Sequence, residues 1–472
     1  MQSCSVKPKW NDTTELKKLL DSGKITSEFA VQQAIMQAKE KSDLNVMIHL
    51  DEENALALAK EYDQLKSEGK SAGTLHGVPI VVKDNIHVKG MANTAGTPAL
   101  ANFNPTEDSP VVKKLRDAGA IVIGKSNMHE LAFGISGYNY AFYENHIGVR
   151  NAYNRDRIAG GSSSGTGVAI GAGIVTAGLG SDTGGSVRIP AALNNACGYR
   201  PTIGRYSQAG VTPISHTRDT VGLMAKTVDD IILLDNVITN QQSEVSQAAT
   251  IRLGVVQSFL ANLSPEVKKL WDVAIKKIEN TDIQIVIIEE DYEITALNQQ
   301  VSFPIALYEA SGDLKKYLQT HNIDLSAAEL AEQIASPDVK GTYQGLVLPQ
   351  KLPTPDNELV DAKPIYDNAM QNVRPQLIAA YQKLFDDNNL DGIIFPTTPV
   401  EAIVSNDESS SLENFLLYIQ NTDPGSNAGM PGLSIPMGLT KDGLPAGLEI
   451  DALHHQDDKM LRIGKTLQGI ID

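Results

Sequence analysis

Short apolar runs bounded by glycine or proline recur along this chain, and helix patterns separate them. Val78-Pro-Ile-Val-Val82 and Ala120-Ile-Val-Ile123 read as buried strands. Gly392-Ile-Ile-Phe395, Leu433-Ser-Ile-Pro436 and Gly447-Leu-Glu-Ile450 carry the same signal near the end. Helical stripes precede them: Leu16, Leu19 and Leu20; Ala30 to Ala38 behind Thr26-Ser27; Ala55 to Leu65 ahead of Gly69. Ser109-Pro110 opens a further helix that runs to Ala118-Gly119, with serine at the cap and proline in the first turn. Two more are expected, from about Ile189 to Ala196 and from Met460 to Gln468. This alternation predicts an α/β layer architecture. No linker interrupts it, so one large domain spans 1–472. It divides into a helical region at about 10–70, a core at 75–230, a helix-rich region at 240–390 with a strand candidate at Ile283–Ile288, and a strand-and-helix ending at 391–472.

Hydrophobic residues make up 42% of the chain and charged residues 21%, which suits a large folded core and excludes dominant disorder. The 57 acidic against 40 basic side chains leave a net charge of −17. That balance argues against nucleic-acid partners, whose phosphates are held by lysine and arginine. Cys4 and Cys197 supply neither a disulfide framework nor a zinc spacing. The nine histidines are scattered, and the adjacent His454–His455 pair cannot face one metal from one helix side. Val168–Gly180 is too short and too rich in glycine to span a membrane. The start, Met1-Gln-Ser-Cys4, reads as an ordinary N-terminus of a cytoplasmic protein. A trimmed lipoprotein junction at Cys4, with a periplasmic or lipid-anchored protein, is the alternative.

Three short motifs suggest chemistry that their surroundings deny. Gly119–Ser126 matches a phosphate-binding loop in letters, but Ala120–Ile123 is a strand where that loop needs a flexible curl of backbone N–H groups. Asp182-Thr-Gly184 resembles half of an aspartic-protease site, yet its counterpart, Asp21-Ser-Gly23, ends an amphipathic helix. Gly161-Ser162-Ser163-Ser164-Gly165 matches a nucleophile elbow with Ser163 as nucleophile and His216 as a conceivable base. An elbow follows a strand directly, whereas Asn151–Ala159 is polar and reads as loop.

A larger constellation is harder to dismiss. Gly160-Gly-Ser-Ser-Ser-Gly165 is followed by a small-residue run and then Gly180-Ser-Asp-Thr-Gly-Gly-Ser-Val-Arg-Ile-Pro190. Upstream, Gly77-Val-Pro-Ile-Val-Val-Lys83-Asp-Asn85 puts a lysine where a buried strand ends. In this order and spacing the motifs resemble the amidase signature family of serine hydrolases. Weaker similarity extends over nearly the whole chain, including Asn427-Ala-Gly-Met-Pro431. The resemblance implies a large mixed central β-sheet covered by helices on both faces. It implies Ser186 as nucleophile, Ser162 as a serine after a cis peptide bond, and Lys83 as general base. Thr183, Gly184 and Gly185, with Ser186, would form a backbone oxyanion hole. No cofactor or metal is implied, and a homodimer is one option for assembly.

An unactivated serine needs an adjacent base, and lysine serves only when neutral. Burial lowers its pKa, and the apolar strand 78–82 is the reason to expect burial at Lys83. Glycine at 184 and 185 permits close backbone approach to a substrate. Ser163, Asp182 and Arg188 are expected to shape the signature loop, with anion binding as the alternative for Arg188. Asn127–Leu131, Gly204–Ser207, Pro213–His216 and Asn421–Asp423 resemble the subgroup of indoleacetamide and mandelamide hydrolases. An aromatic or aryl-acetic primary amide is therefore the expected substrate, with Met128, His129, Tyr138 and Tyr153 as candidate pocket residues. The rivals are a subunit of a tRNA-dependent amidotransferase acting on glutamine, and a non-catalytic binding protein.

Overall fold

A computed structural model describes residues 9–142, 148–241, 250–354, 356 and 358–472. Cys4 lies outside them. Among the described residues thirteen strands form: β1 (Met47–Leu50), β2 (Pro79–Lys83), β3 (Ile121–Ser126), β4 (Ala177–Asp182), β5 (Cys197–Arg200), β6 (Thr220–Ala225), β7 (Arg252–Val256), β8 (Gln284–Ile288), β9 (Lys351–Pro353), β10 (Leu359–Asp361), β11 (Gly392–Pro396), β12 (Gly432–Leu439) and β13 (Pro445–Asp451). Eleven build one sheet in the order β1-β3-β2-β4-β6-β5-β12-β13-β11-β7-β8, and β9 with β10 makes a separate hairpin. Parallel pairs (β3/β2, β2/β4, β11/β7, β7/β8) sit beside antiparallel ones, so the sheet is mixed.

Side chains alternate across each strand, and both faces are covered. Ile80, Val82 and Val122 pack under the helices Thr13–Asp21 and Pro110–Asp117. Val81, Ile121 and Ile123 pack under Ser27–Glu40 and Ser164–Gly171 on the other face. The expected caps form, since Thr26 accepts from the Phe29 N–H and Ser109 from the Val112 N–H. The strand expected at Ala120–Ile123 runs on through Lys125 and Ser126, so the residues that mimic a phosphate loop are sheet.

Several strands carry no apolar signature. β4 is Ala-Gly-Leu-Gly-Ser-Asp, a poor strand former by composition, yet it is central and fully buried. The glycines there answer a packing demand. A Cβ at Gly178 would lie 2.8 Å from Thr166 Cγ2, and one at Gly180 would lie 2.6 Å from Ser163 Oγ. The helix Ser164–Gly171 can therefore press onto the sheet, which brings the two glycine-rich motifs together. The helix expected from about Ile189 to Ala196 spans Arg188–Leu193 and gives way to β5. Among the described residues, no helix is long and apolar enough to cross a membrane.

Candidate active site

β2 and β4 are adjacent and parallel, so their C-terminal ends share one edge of the sheet. Lys83 ends β2, and Ser181 and Asp182 end β4. Lys83 Nζ therefore lies 2.9 Å from Ser181 Oγ, and it also lies 2.7 Å from Ser162 Oγ. Lys83 and Ser162 are both fully buried. Burial pushes the Lys83 amine down from 10.5 to about 7, with Asp182 and Asp219 offsetting part of the fall. A neutral Lys83 can accept the Ser162 hydroxyl proton while its own N–H groups face Ser181.

Ser162 follows a cis Gly161–Ser162 peptide bond, the bond the family resemblance implies. The next residue locks the two motifs together. Ser163 N–H donates to Ser186 O at 3.0 Å. Ser163 Oγ donates to Ser181 O at 3.1 Å and accepts from Ser181 N–H at 3.2 Å. Ser163 is thus a structural latch. His216 is exposed and faces Asp313 at 2.9 Å, so the elbow reading gains no base.

Asp182 shapes the turn that presents Ser186. Its Oδ1 accepts from Gly185 N–H at 2.8 Å and Arg200 Nη1 at 3.0 Å, and its Oδ2 from Val187 N–H and Arg188 Nε at 3.1 Å. Burial opposes this carboxylate, but Arg188 and Arg200 outweigh it and hold the carboxyl well below the usual range. The remaining nitrogens of Arg188 reach Glu449, Thr422 O and Ser426 Oγ. Arg188 is buried and its donors are occupied, which excludes the alternative of anion binding. Gly185 departs from the expected oxyanion role, because its N–H is committed to Asp182. No hydrogen bond within the described residues engages the N–H groups of Thr183, Gly184 or Ser186.

The loop is held from outside as well. Thr183 Oγ1 donates to Asp219 Oδ1 at 2.6 Å, Arg218 Nη2 to Thr183 O at 3.2 Å, and Thr422 Oγ1 to Gly184 O at 2.7 Å. Burial raises the Asp219 carboxyl to about 6 against the hydrogen bonds from Thr183, Ser215 and Ile214. Thr422 and Asp423 fall in the Asn421–Asp423 tripeptide noted in the sequence. Arg218 and Asp219, just ahead of β6, had no such mark.

Ser186, Thr183 and Gly184 open into a cavity of about 360 Å³. Its walls are mostly apolar and include Phe133, Ile135, Phe303, Leu307 and Phe415. That volume falls near the lower end for small-molecule sites. Of the four candidate pocket residues, His129 lines this cavity and three do not. Met128 packs behind Ala132 and Ile214. Tyr138 packs behind Ile135 and Ile419. Tyr153 is on the outer surface, accepting from Asn195 Nδ2. Residue type suited all four, but the loops carrying them turn only His129 inward.

The family model described as "Amidase" matches residues 30–461. The chain is 47% identical to the mandelamide hydrolase of Pseudomonas putida, over 97% of this chain and 91% of that protein. It is 36% identical to the indoleacetamide hydrolase of Agrobacterium vitis, over 94% and 93%. The crystal structure of native peptide amidase from Stenotrophomonas maltophilia superposes with a TM-score of 0.82 at 26% identity, covering 98% of this chain and 96% of that one.

Proposed function

The chain belongs to the amidase signature family and is an amide hydrolase, and from that premise we propose that it cleaves small aromatic primary amides through an acyl-enzyme on Ser186. The observation that carries this reading is a buried lysine, held near neutral pKa, one hydrogen bond from Ser162, whose neighbour Ser163 donates its N–H to the carbonyl of Ser186, a residue that lines an apolar cavity. Neutral Lys83 takes a proton from Ser162 as Ser162 takes one from Ser186. The Ser186 oxygen bonds to the amide carbon, and the carbonyl π pair moves onto its oxygen. Backbone N–H groups of Thr183, Gly184 and Ser186 receive that oxyanion; losing one such donor typically costs about 10²–10³ in rate. As the tetrahedral species collapses, the C–N bond breaks and the relay returns a proton to the leaving nitrogen, releasing ammonia. Water, deprotonated by the same relay, then attacks the ester carbonyl and frees the acid and Ser186.

The cavity favours an uncharged aromatic acyl group over glutamine. Glutamine brings a carboxylate, and the arginine on the wall, Arg218, is already ion-paired with Asp423 and bound to Ser302 O and Thr183 O. Apolar walls and an arginine already paired would leave glutamine's carboxylate poorly solvated. The test is ammonia release from indole-3-acetamide, mandelamide, phenylacetamide, acetamide and glutamine by the wild type and Ser186→Ala. Aromatic turnover that disappears in the variant is expected. Turnover of glutamine alone would replace this reading with the amidotransferase one.

A further inference from the structure

One strip of the cavity wall departs from its apolar surroundings. Asp338, His129, Ser410 and Thr342 all line the cavity, and three of them join in a single hydrogen-bonded chain. His129 Nε2 lies 2.9 Å from Asp338 Oδ2, its Nδ1 lies 3.4 Å from Ser136 Oγ, and Ser136 Oγ lies 2.8 Å from Ser410 Oγ. With a proton on Nε2, His129 donates to Asp338, and its Nδ1 faces the Ser136 hydroxyl.

Both partners are fixed by the fold. The His129 backbone N–H donates to Ser162 O at 3.2 Å, which ties this strip to the proposed relay serine. Gly134 leaves room for the imidazole, since a Cβ there would lie 2.2 Å from the ring. Asp338 stands in the first turn of the helix Pro337–Thr342, and Glu130 anchors that turn by accepting from the Ala335 and Ser336 N–H groups. Burial works against the Asp338 charge, but His129 and the first backbone N–H groups of the helix outweigh it and lower the carboxyl below its ordinary value. The cavity therefore holds an ionised, partly exposed carboxylate with its histidine side already filled.

We propose that Asp338, oriented by His129, is a specificity-determining residue that accepts a hydrogen bond from a neutral donor, a hydroxyl or ring N–H, on the acyl part of the substrate. This rests on the reading of the cavity as the acyl site of Ser186. A carboxylate has lone pairs to fill and no donor of its own, so an acyl group with only C–H bonds leaves it under-solvated once substrate displaces its water. An ammonium would also donate, but it must be stripped of water among apolar walls.

The experiment compares kcat/KM across matched amides in one enzyme. Phenylacetamide, both enantiomers of mandelamide, 2-methoxy-2-phenylacetamide and phenylglycinamide differ only at the α-carbon. Indole-3-acetamide and its ring N-methyl derivative test a ring donor. In the wild type, at least one donor-bearing amide should exceed its donor-free partner by about 10- to 150-fold, the range carried by a hydrogen bond to a charged group. In Asp338→Ala that ratio should fall to near one; taken within one variant, it is insensitive to a loss of active protein. A wild-type ratio near one in both series, a ratio that survives in Asp338→Ala, or a preference for phenylglycinamide over mandelamide overturns the proposal. Failure to cleave any aromatic amide overturns the aromatic reading along with it.

Discussion

Lys83 offers the sharpest test of the relay, because base and structural cation make opposite demands on position 83. With its amine at about 7, roughly half the molecules carry a neutral base at pH 7. At the ordinary value of 10.5 the neutral fraction would be about 3 in 10,000. Burial therefore enlarges the reactive population by a factor on the order of 10³. Lys83→Arg keeps a positive charge, but a guanidinium cannot lose its proton near neutral pH. A base role makes Lys83→Arg as inactive as Lys83→Ala, both lower in kcat by about 10²–10⁴, the span of general-base catalysis. The wild-type kcat/KM should rise with pH through an acid limb near 7. Stability carries the opposite face of the same shift. The folded state binds fewer protons than the unfolded state between pH 7 and 10.5, so wild-type stability rises with pH across that window. Below pH 7 the burial penalty is fully present, on the order of 5 kcal/mol. Lys83→Met should therefore raise the thermal midpoint at pH 7 and lose that advantage toward pH 10.5. Steady-state rates and thermal unfolding over pH 5–10 measure both. An active Lys83→Arg, or a profile flat between pH 6 and 8, would refute the reasoning.

Two further outcomes follow from the surroundings. Asp182→Asn leaves Arg188 and Arg200 without their shared countercharge and should destabilise the fold by about 3–5 kcal/mol. At roughly 2.1 cal/mol/K per residue that is a fall of about 3–5 °C in thermal midpoint, and an unchanged midpoint would show the charges to be compensated otherwise. Ala306→Phe projects a ring into the cavity and should weaken kcat/KM for indole-3-acetamide by about 5- to 150-fold, the range of overpacking, while acetamide suffers far less. Equal losses on the two substrates would place the acyl group elsewhere.

The strands recognisable in sequence were those with apolar runs, such as 78–82 and 392–395, where hydrophobicity alone requires burial. β4 and β6 carry glycines instead. Gly178 and Gly180 weaken any local strand preference, and β4 forms because β2 and β6 flank it and a helix covers it. The pocket divides similarly. His129 was a candidate by residue type, but so were Met128, Tyr138 and Tyr153, and sequence holds no information on which way a loop turns. Asp338 and Asp219 gave no signal, since isolated aspartates are common on surfaces.

The order of residues already specifies the chemistry on offer. It holds a lysine at the end of an apolar strand, serines in two glycine-rich motifs, and an acidic balance that argues against nucleic-acid partners. These are properties of residue type and short-range spacing, which local physics reads directly. What those groups became depended on how the chain packs. Parallel pairing of β2 with β4 set Lys83 beside Ser181, and the helix after Ser162 carried that serine to Lys83, 79 positions away in sequence. The same assembly committed the Gly185 N–H to Asp182 and enclosed the lysine so that it gives up its proton near neutral pH. Desolvation and hydrogen-bond geometry depend on everything that packs around a group, and only the folded chain brings those neighbours together.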